Sequence, residues 1–103
     1  MGKLKVRGGL MSDIVIREIS EFFQELNFMK VNINGKVVFE HKNGFYMLTK
    51  GGTHSYFLEY ARTFQEAHNN CYEDVEAYSI KATSEDEIIR IIKCDIEKCI
   101  LDD

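Results

Sequence analysis

Apolar side chains recur at helical spacing in two stretches of the chain, one near each end. The first stripe comprises Val15, Ile16, Ile19, Phe22, Phe23 and Leu26. The second stripe comprises Ile88, Ile89, Ile92, Ile96, Cys99 and Ile100. Spacings of three and four residues are typical of amphipathic helices that bury one face. Ser12 or Asp13 is positioned to cap the first helix, and a capping box that begins at Ser84 starts the second.

Between these stretches, apolar and polar residues alternate, which is the pattern of β-strands with one buried face. The predicted strands are Phe28–Ile33, Lys36–His41, Phe45–Lys50 and His54–Ala61. The turns between them contain the dipeptides Asn34-Gly35, Asn43-Gly44 and Gly51-Gly52. Because such dipeptides favour tight hairpins, the four strands are expected to form an antiparallel meander.

A further capping box, from Thr63 to Glu66, predicts a short helix after the meander. The polar pair Glu73-Asp74 would end this helix, and the alternating segment Val75–Ala82 predicts a fifth strand. The element order is therefore α-β-β-β-β-α-β-α, an α+β fold with an antiparallel four- to five-stranded meander sheet and flanking helices. We expect the first and last helices to cover one face of the sheet, because they carry the longest apolar stripes.

The length of 103 residues corresponds to one domain, and a hydrophobic fraction of 45% supplies enough apolar material for one core. Gly8 and Gly9 separate the first ten residues from the helix signal that starts at Met11. We therefore predict a flexible N-terminal extension over residues 1–10 and a single domain over residues 11–103, with Met11 as the hypothetical natural start.

The residues that most often carry chemistry form no recognisable constellation. The three histidines and three cysteines show no spacing that would chelate a metal, and no glycine-rich loop has the phosphate-binding pattern. Cys71 and Cys99 fall on apolar stripes, so we expect both to be buried core residues. The sequence thus predicts a protein without catalytic residues, bound metal or cofactor.

Cysteine usage and hydropathy predict a cytoplasmic protein. An odd number of cysteines without a C-x-x-C pair argues against a secreted disulfide framework and favours a reducing compartment. No apolar run approaches the ~18 residues that a membrane-spanning helix requires. We therefore expect no membrane contact.

Acidic residues concentrate in the second half of the chain. Residues 59–103 contain 5 Lys/Arg against 12 Asp/Glu, a balance of −7, whereas residues 1–58 have a balance of +3. An acidic surface disfavours nucleic acid as a partner and suits a basic protein. The densest acidic group lies beside tyrosines, which are frequent at interfaces. The predicted partner-binding residues are Glu66, Tyr72, Glu73, Asp74, Glu76 and Tyr78.

The second half of the chain also resembles small α+β immunity proteins found beside bacterial polymorphic toxins. The segments that carry the resemblance are Phe57-Leu58-Glu59-Tyr60-Ala61, Glu66-Ala67, Tyr72-Glu73-Asp74, Tyr78, Glu87-Ile88-Ile89 and Asp95-Ile96. The resemblance implies a cytoplasmic protein that binds one cognate toxin domain and blocks its active site. Many such toxins are nucleases with basic clefts, in which an acidic patch would take the place of the phosphate backbone.

Two other functions remain open at this point. One is a small enzyme or ligand-binding domain with a pocket between the sheet and the helices. The other is a phage-derived or regulatory adaptor. A deep polar pocket with titratable groups of shifted pKa would favour the enzyme or ligand-binding domain, whereas a neighbouring toxin gene would favour an immunity protein.

Overall fold

The computed structural model describes residues 13–80 and 84–101, in which five strands form one antiparallel sheet. The helices are α1 (Ile14–Glu25), α2 (Phe64–His68) and α3 (Glu85–Ile96), and α3 continues into a π-helical turn at Glu97–Leu101. The strands, in their order across the sheet, are β1 (Met29–Ile33), β2 (Lys36–His41), β3 (Gly44–Gly51), β4 (Ser55–Ala61) and β5 (Glu73–Ser79). The predicted α+β fold and element order are thus confirmed, while the predicted extension over residues 1–10 lies outside the described residues.

The first and last helices pack against one face of the sheet, as predicted. Their buried residues include Val15, Ile19, Phe23, Ile88, Ile92 and Ile96. The sheet contributes Phe39, Leu48, Tyr56, Leu58 and Tyr78 to the same core. Burying a large apolar side chain contributes roughly 1.5–3 kcal/mol, so this face dominates the stability of the domain. Among the described residues, no helix is long and apolar enough to cross a membrane.

The short helix α2 lies on the opposite face, where it covers a smaller core. This second core consists of Ile33, Val38, Phe45, Met47, Ala61 and Ala67, with Val31 and Tyr72 packed against it. The Thr63 side chain caps α2 by accepting a hydrogen bond from the Glu66 N–H at 3.1 Å, as the predicted capping box requires, whereas the Glu66 side chain accepts from the Arg62 N–H and not from that of Thr63. Apolar residues of the sheet are therefore buried on both faces, although the second cover is only five residues long.

Two neighbouring tyrosines attach the long helices to the sheet. Tyr56 and Tyr78 lie directly opposite each other on β4 and β5. The Tyr56 hydroxyl donates a hydrogen bond to Asp13, the N-cap of α1, at 2.9 Å. The Tyr78 hydroxyl donates to Asp95 of α3, also at 2.9 Å. Each long helix is thus hydrogen-bonded to one of two adjacent tyrosines of the sheet.

The segment between α2 and β5 differs from the prediction. The helix ends at His68, and Asn70 then takes a left-handed conformation with φ 60°. Asparagine tolerates this conformation better than most residues, so it ends the helix earlier than expected. Strand β5 consequently begins at Glu73, and Glu73 and Asp74 belong to the strand and not to a turn. The end of the predicted strand, at Ala82, lies outside the described residues.

The prediction that Cys71 and Cys99 are buried is wrong, because both side chains are exposed. The left-handed Asn70 takes Cys71 away from the apolar face of α2. Cys99 lies in the π-helical turn after α3, where Ile100 occupies the buried position instead. A π-helical turn contains more residues than an α-helical turn, so it changes which residue continues the apolar stripe.

We expect Cys71, Cys94 and Cys99 all to react with a maleimide in the native protein, because all three thiols are exposed. Intact-mass spectrometry should show three labels without denaturant, added at rates similar to those of the unfolded chain. A cysteine that is labelled only after denaturation would contradict its exposed position in this structure.

Candidate functional site

Strand β5 forms an exposed edge of the sheet. Among the described residues it pairs only with β4, and Glu73–Ala77 are five exposed residues in succession. Val75 is a large apolar residue on this edge and is 38% exposed. An exposed edge strand presents unpaired backbone groups to its surroundings, and proteins usually protect such edges or use them for binding.

The three carboxylates of β5 lie on both faces of the sheet. By register, Glu73 is opposite Tyr60 and Glu76 is opposite Leu58, so both share the face that α1 and α3 cover. A β-bulge between these two pairs shifts the register and places Asp74 opposite Glu59, on the other face. The acidic surface of β5 is therefore an edge with charge on both sides, and not a single flat patch.

These carboxylates are little compensated within the described part of the chain, where the pKa of Arg62 is raised mainly by Glu66 and to a smaller extent by Glu73. None of Glu73, Asp74 and Glu76 takes part in a salt bridge there. Asp74 has another acid, Glu59, as its direct cross-strand neighbour. Like charges at directly opposed positions are generally unfavourable. Glu59 accepts a hydrogen bond from the Thr49 hydroxyl at 2.5 Å, which holds its carboxylate in place.

Glu66, which was predicted to belong to the same surface, is engaged by the fold. Its carboxylate accepts hydrogen bonds from the Arg62 guanidinium at 2.9 Å and from the Arg62 backbone N–H at 3.2 Å. The side-chain hydrogen bond from Arg62 is the main reason that the pKa of Glu66 lies below its usual value. Its charge is thus already compensated by a neighbour four residues earlier in the chain.

The two tyrosines also belong to the fold more than to the surface. Tyr78 is 8% exposed, and its hydroxyl points inward to Asp95. Burial, followed by the hydrogen bond to Asp95, raises the pKa of Tyr78 well above its usual value. Tyr72 is half-buried against the second core, and the Lys36 ammonium lies 5.7 Å from the centroid of its ring. Burial likewise raises the pKa of Tyr72, and its hydroxyl has no hydrogen-bond partner among the described residues.

The structure therefore brings together three of the six predicted residues, namely Glu73, Asp74 and Glu76. Two further exposed residues, Val75 and Ala77, lie among them and were not predicted as binding residues. The signal was present in the alternating pattern of this segment, but the strand was predicted to begin two residues too late. A strand that starts at Glu73 makes all five residues part of one edge.

The interior between the sheet and the long helices is filled by side chains. No pocket is present within residues 13–80 and 84–101, and no group of three or more potential metal ligands occurs there. The hypothesis of a ligand-binding pocket between sheet and helices thus finds no support in the described structure. Among the described residues, the exposed edge of β5 is the candidate binding surface.

Comparisons with protein-family models, with curated proteins and with solved structures find no match to this chain. The similarity to immunity proteins consequently remains a prediction from the sequence.

Proposed function

We propose that this protein is a non-catalytic protein-binding module that binds a basic partner through the acidic edge strand β5. The observation that supports this proposal is the row of exposed residues Glu73–Ala77, in which three carboxylates form no salt bridge in the described structure. In the more specific form of the proposal, the partner is the cognate toxin domain of a bacterial immunity pair.

A basic partner follows from the chemistry of the edge. Arginine and lysine side chains form short charge-assisted hydrogen bonds with carboxylates, and such bonds are roughly twice as strong as those between neutral groups. The active-site cleft of a nuclease is positively charged because it binds phosphates, so an acidic strand can occupy it. Long-range attraction between the two surfaces would also raise the rate of association.

The pair of like charges at Asp74 and Glu59 supports a binding role. Like charges at directly opposed positions of neighbouring strands are generally unfavourable, whereas opposite charges there are favourable. Residues kept at the expense of stability are frequent in binding sites, where the partner relieves the unfavourable interaction. A cation placed beside Asp74 and Glu59 would do so.

The double substitution Glu73→Lys with Asp74→Lys tests the proposal. We expect it to leave the fold intact, because Lys at position 74 would lie opposite Glu59 and replace a repulsive pair by an attractive one. It should weaken binding to the proposed toxin partner by about tenfold or more, and raised salt should weaken the wild-type complex. Isothermal titration at two salt concentrations, together with survival of cells that express the toxin, measures both effects.

The matched control is Glu21→Lys with Glu25→Lys, which changes net charge by the same amount on exposed positions of α1. This variant should bind and protect like the wild type. Full protection by a folded Glu73→Lys, Asp74→Lys variant would exclude β5 as the binding surface. Equal loss of binding in both double variants would show that net charge, and not this edge, attracts the partner.

A further inference from the structure

We infer that the basic partner binds by strand addition, so that an extended segment of the partner pairs with β5 as a sixth strand of the sheet. This inference rests on the proposed function and specifies its mode of binding. It concerns the backbone of β5, whereas the proposed function concerns the carboxylates.

The backbone of Ala77 faces away from β4. The Ile80 N–H donates to the His54 carbonyl at 2.9 Å, which continues the register of the β4–β5 ladder. Hydrogen-bonded pairs alternate along an antiparallel ladder, so Tyr78 is in a hydrogen-bonded pair and Ala77, opposite Phe57, is not. The N–H and C=O of Ala77 therefore point to the free edge.

The hydrogen bond made by the Ala77 N–H agrees with its orientation toward the free edge. The Ala77 N–H donates to the carboxylate of Glu76, its own neighbour, at 3.4 Å in an exposed position. This distance is long for an N–H···O bond, so the interaction is weak and is easily replaced. A partner carbonyl that accepts from the Ala77 N–H would release the Glu76 carboxylate, which could then bind a cation of the same partner.

The distribution of charge on β5 also matches an added strand. Side chains of a strand alternate between the two faces of a sheet, so one extended segment reaches both faces at once. Basic side chains on one face would lie near Glu73 and Glu76, and those on the other face near Asp74. A rigid surface that approaches from one face would reach only part of this set.

A second copy of this protein is a poor occupant of the same edge. Pairing β5 with itself would bring acids against acids, and charged residues and bulges on an edge strand hinder self-association. The bulge lies on the Asp74 side of Glu76, so Glu76, Ala77 and Tyr78 keep the regular register with β4. A basic strand that pairs with Glu76, Ala77 and Tyr78 would meet neither charge repulsion nor the bulge.

Amide hydrogen exchange of the ¹⁵N-labelled protein tests the inference directly. The probe is the peptide Arg-Arg-Thr-Thr-Arg-Arg-Thr-Thr, which presents arginine on both faces when it is extended. At saturating peptide, exchange of the Ala77 amide should slow by about tenfold or more, because it enters a new ladder. A peptide with Pro in place of Thr has the same charge but lacks half of the backbone donors, and it should protect Ala77 much less.

A backbone variant provides a second measurement. N-methylalanine at position 77 removes the outward N–H and leaves every charge in place. It can be introduced by ligating a synthetic peptide that begins at Cys71 to residues 1–70, since the native cysteine permits a traceless junction. Provided that its melting curve matches that of ligated wild-type protein, we expect the variant to bind the Arg/Thr peptide about tenfold more weakly.

The outcomes separate this inference from the proposed function. Weaker binding by both the N-methylated protein and the Glu73→Lys, Asp74→Lys variant supports strand addition. Weaker binding by the charge variant alone, with unchanged exchange at Ala77, overturns strand addition and leaves an acidic surface that binds through side chains. Unchanged binding by both variants overturns both proposals. A protected Ala77 amide in the free protein would also overturn strand addition, because the edge would then already be paired.

Discussion

Replacement of Phe23 by alanine is expected to lower the free energy of unfolding by about 3–5 kcal/mol. The side chain of Phe23 is fully buried on α1, and its ring packs 5.0 Å from Phe28 and 5.1 Å from Phe39, measured between centroids. The substitution removes most of an aromatic ring and leaves a cavity that the surrounding sheet and helix cannot easily fill. Urea denaturation, followed by circular dichroism, measures the loss.

Phe64 provides a matched control for this prediction. It is also a phenylalanine on a helix, but it is 54% exposed. Its ring contacts Phe45 edge-on at 6.1 Å, so Phe64→Ala should reduce the free energy of unfolding by only about 0.5–1.5 kcal/mol. Similar losses for the two variants would contradict the location of the main core. If Phe23→Ala does not fold, Phe23→Leu keeps most of the volume and should remain measurable.

The second large effect is expected at Asp13, whose carboxylate performs three tasks. It accepts the Ile16 N–H at 3.1 Å as N-cap of α1, it accepts the Tyr56 hydroxyl, and it pairs with Lys50 at 3.1 Å. Asp13→Ala loses the cap and leaves the hydroxyl of Tyr56, a residue only 1% exposed, without its partner. We expect a loss of about 2–4 kcal/mol, with most of it from these two effects.

The control for this prediction is Asp13→Asn, which can still cap the helix and accept from Tyr56. It should lose clearly less stability than Asp13→Ala. A double-mutant cycle of Asp13→Ala with Tyr56→Phe should show a coupling energy above about 0.5 kcal/mol, because each substitution removes the same hydrogen bond. Additive effects would show that the hydrogen bond does not contribute to stability.

The pH dependence of stability follows from the same contacts. Burial by itself raises the pKa of Asp13, but the hydrogen bonds from Ile16, Lys50 and Tyr56 outweigh it and lower the pKa below its usual value. The advantage of wild type over Asp13→Asn should therefore be complete above about pH 4, the pKa of an unfolded aspartate, and should disappear as the pH falls below that value. Denaturation of both proteins between pH 2 and pH 7 measures this difference.

At alkaline pH the dependence is reversed, and stability is expected to fall as the pH rises. Burial raises the pKa of Tyr56, and the hydrogen bond to Asp13 raises it further. The unfolded chain therefore releases the Tyr56 proton first, and the folded protein should lose stability as the pH rises above about 10. Tyr56→Phe should be less sensitive to pH in this range.

Most of the fold could be predicted because its signals are local. Alternation in the segment 28–61, the glycine- and asparagine-containing turns and three capping residues indicated each element and the order along the chain. The predictions of turn positions are wrong where the backbone conformation also depends on contacts that the local sequence pattern does not show. The second hairpin, for instance, turns at Lys42 and Asn43, both with positive φ, and Gly44 lies within β3. A Cβ atom at Gly44 would lie 2.7 Å from the Tyr60 ring, a contact between strands that no local pattern reveals.

The candidate site was predicted less well because it depends on which side chains and strands pair in the folded protein. The acids and tyrosines between positions 66 and 78 appear as one cluster along the chain. In the folded protein, Glu66 binds Arg62 and Tyr78 binds Asp95, while the bulge places Glu73 on the same face of the sheet as Glu76. Which polar groups remain available to a partner is decided by these contacts.

By itself, the sequence determined the helices and strands, the antiparallel order and the excess of acidic residues in the second half of the chain. These features depend on hydropathy period, turn chemistry and composition, all of which act over a few neighbouring residues. Only the tertiary structure decided that β5 is an exposed edge, that its carboxylates occupy both faces and that the cysteines are exposed. The reason is physical: strand register, a one-residue bulge and the packing of helices onto a sheet determine exposure, and each involves residues far apart in the chain.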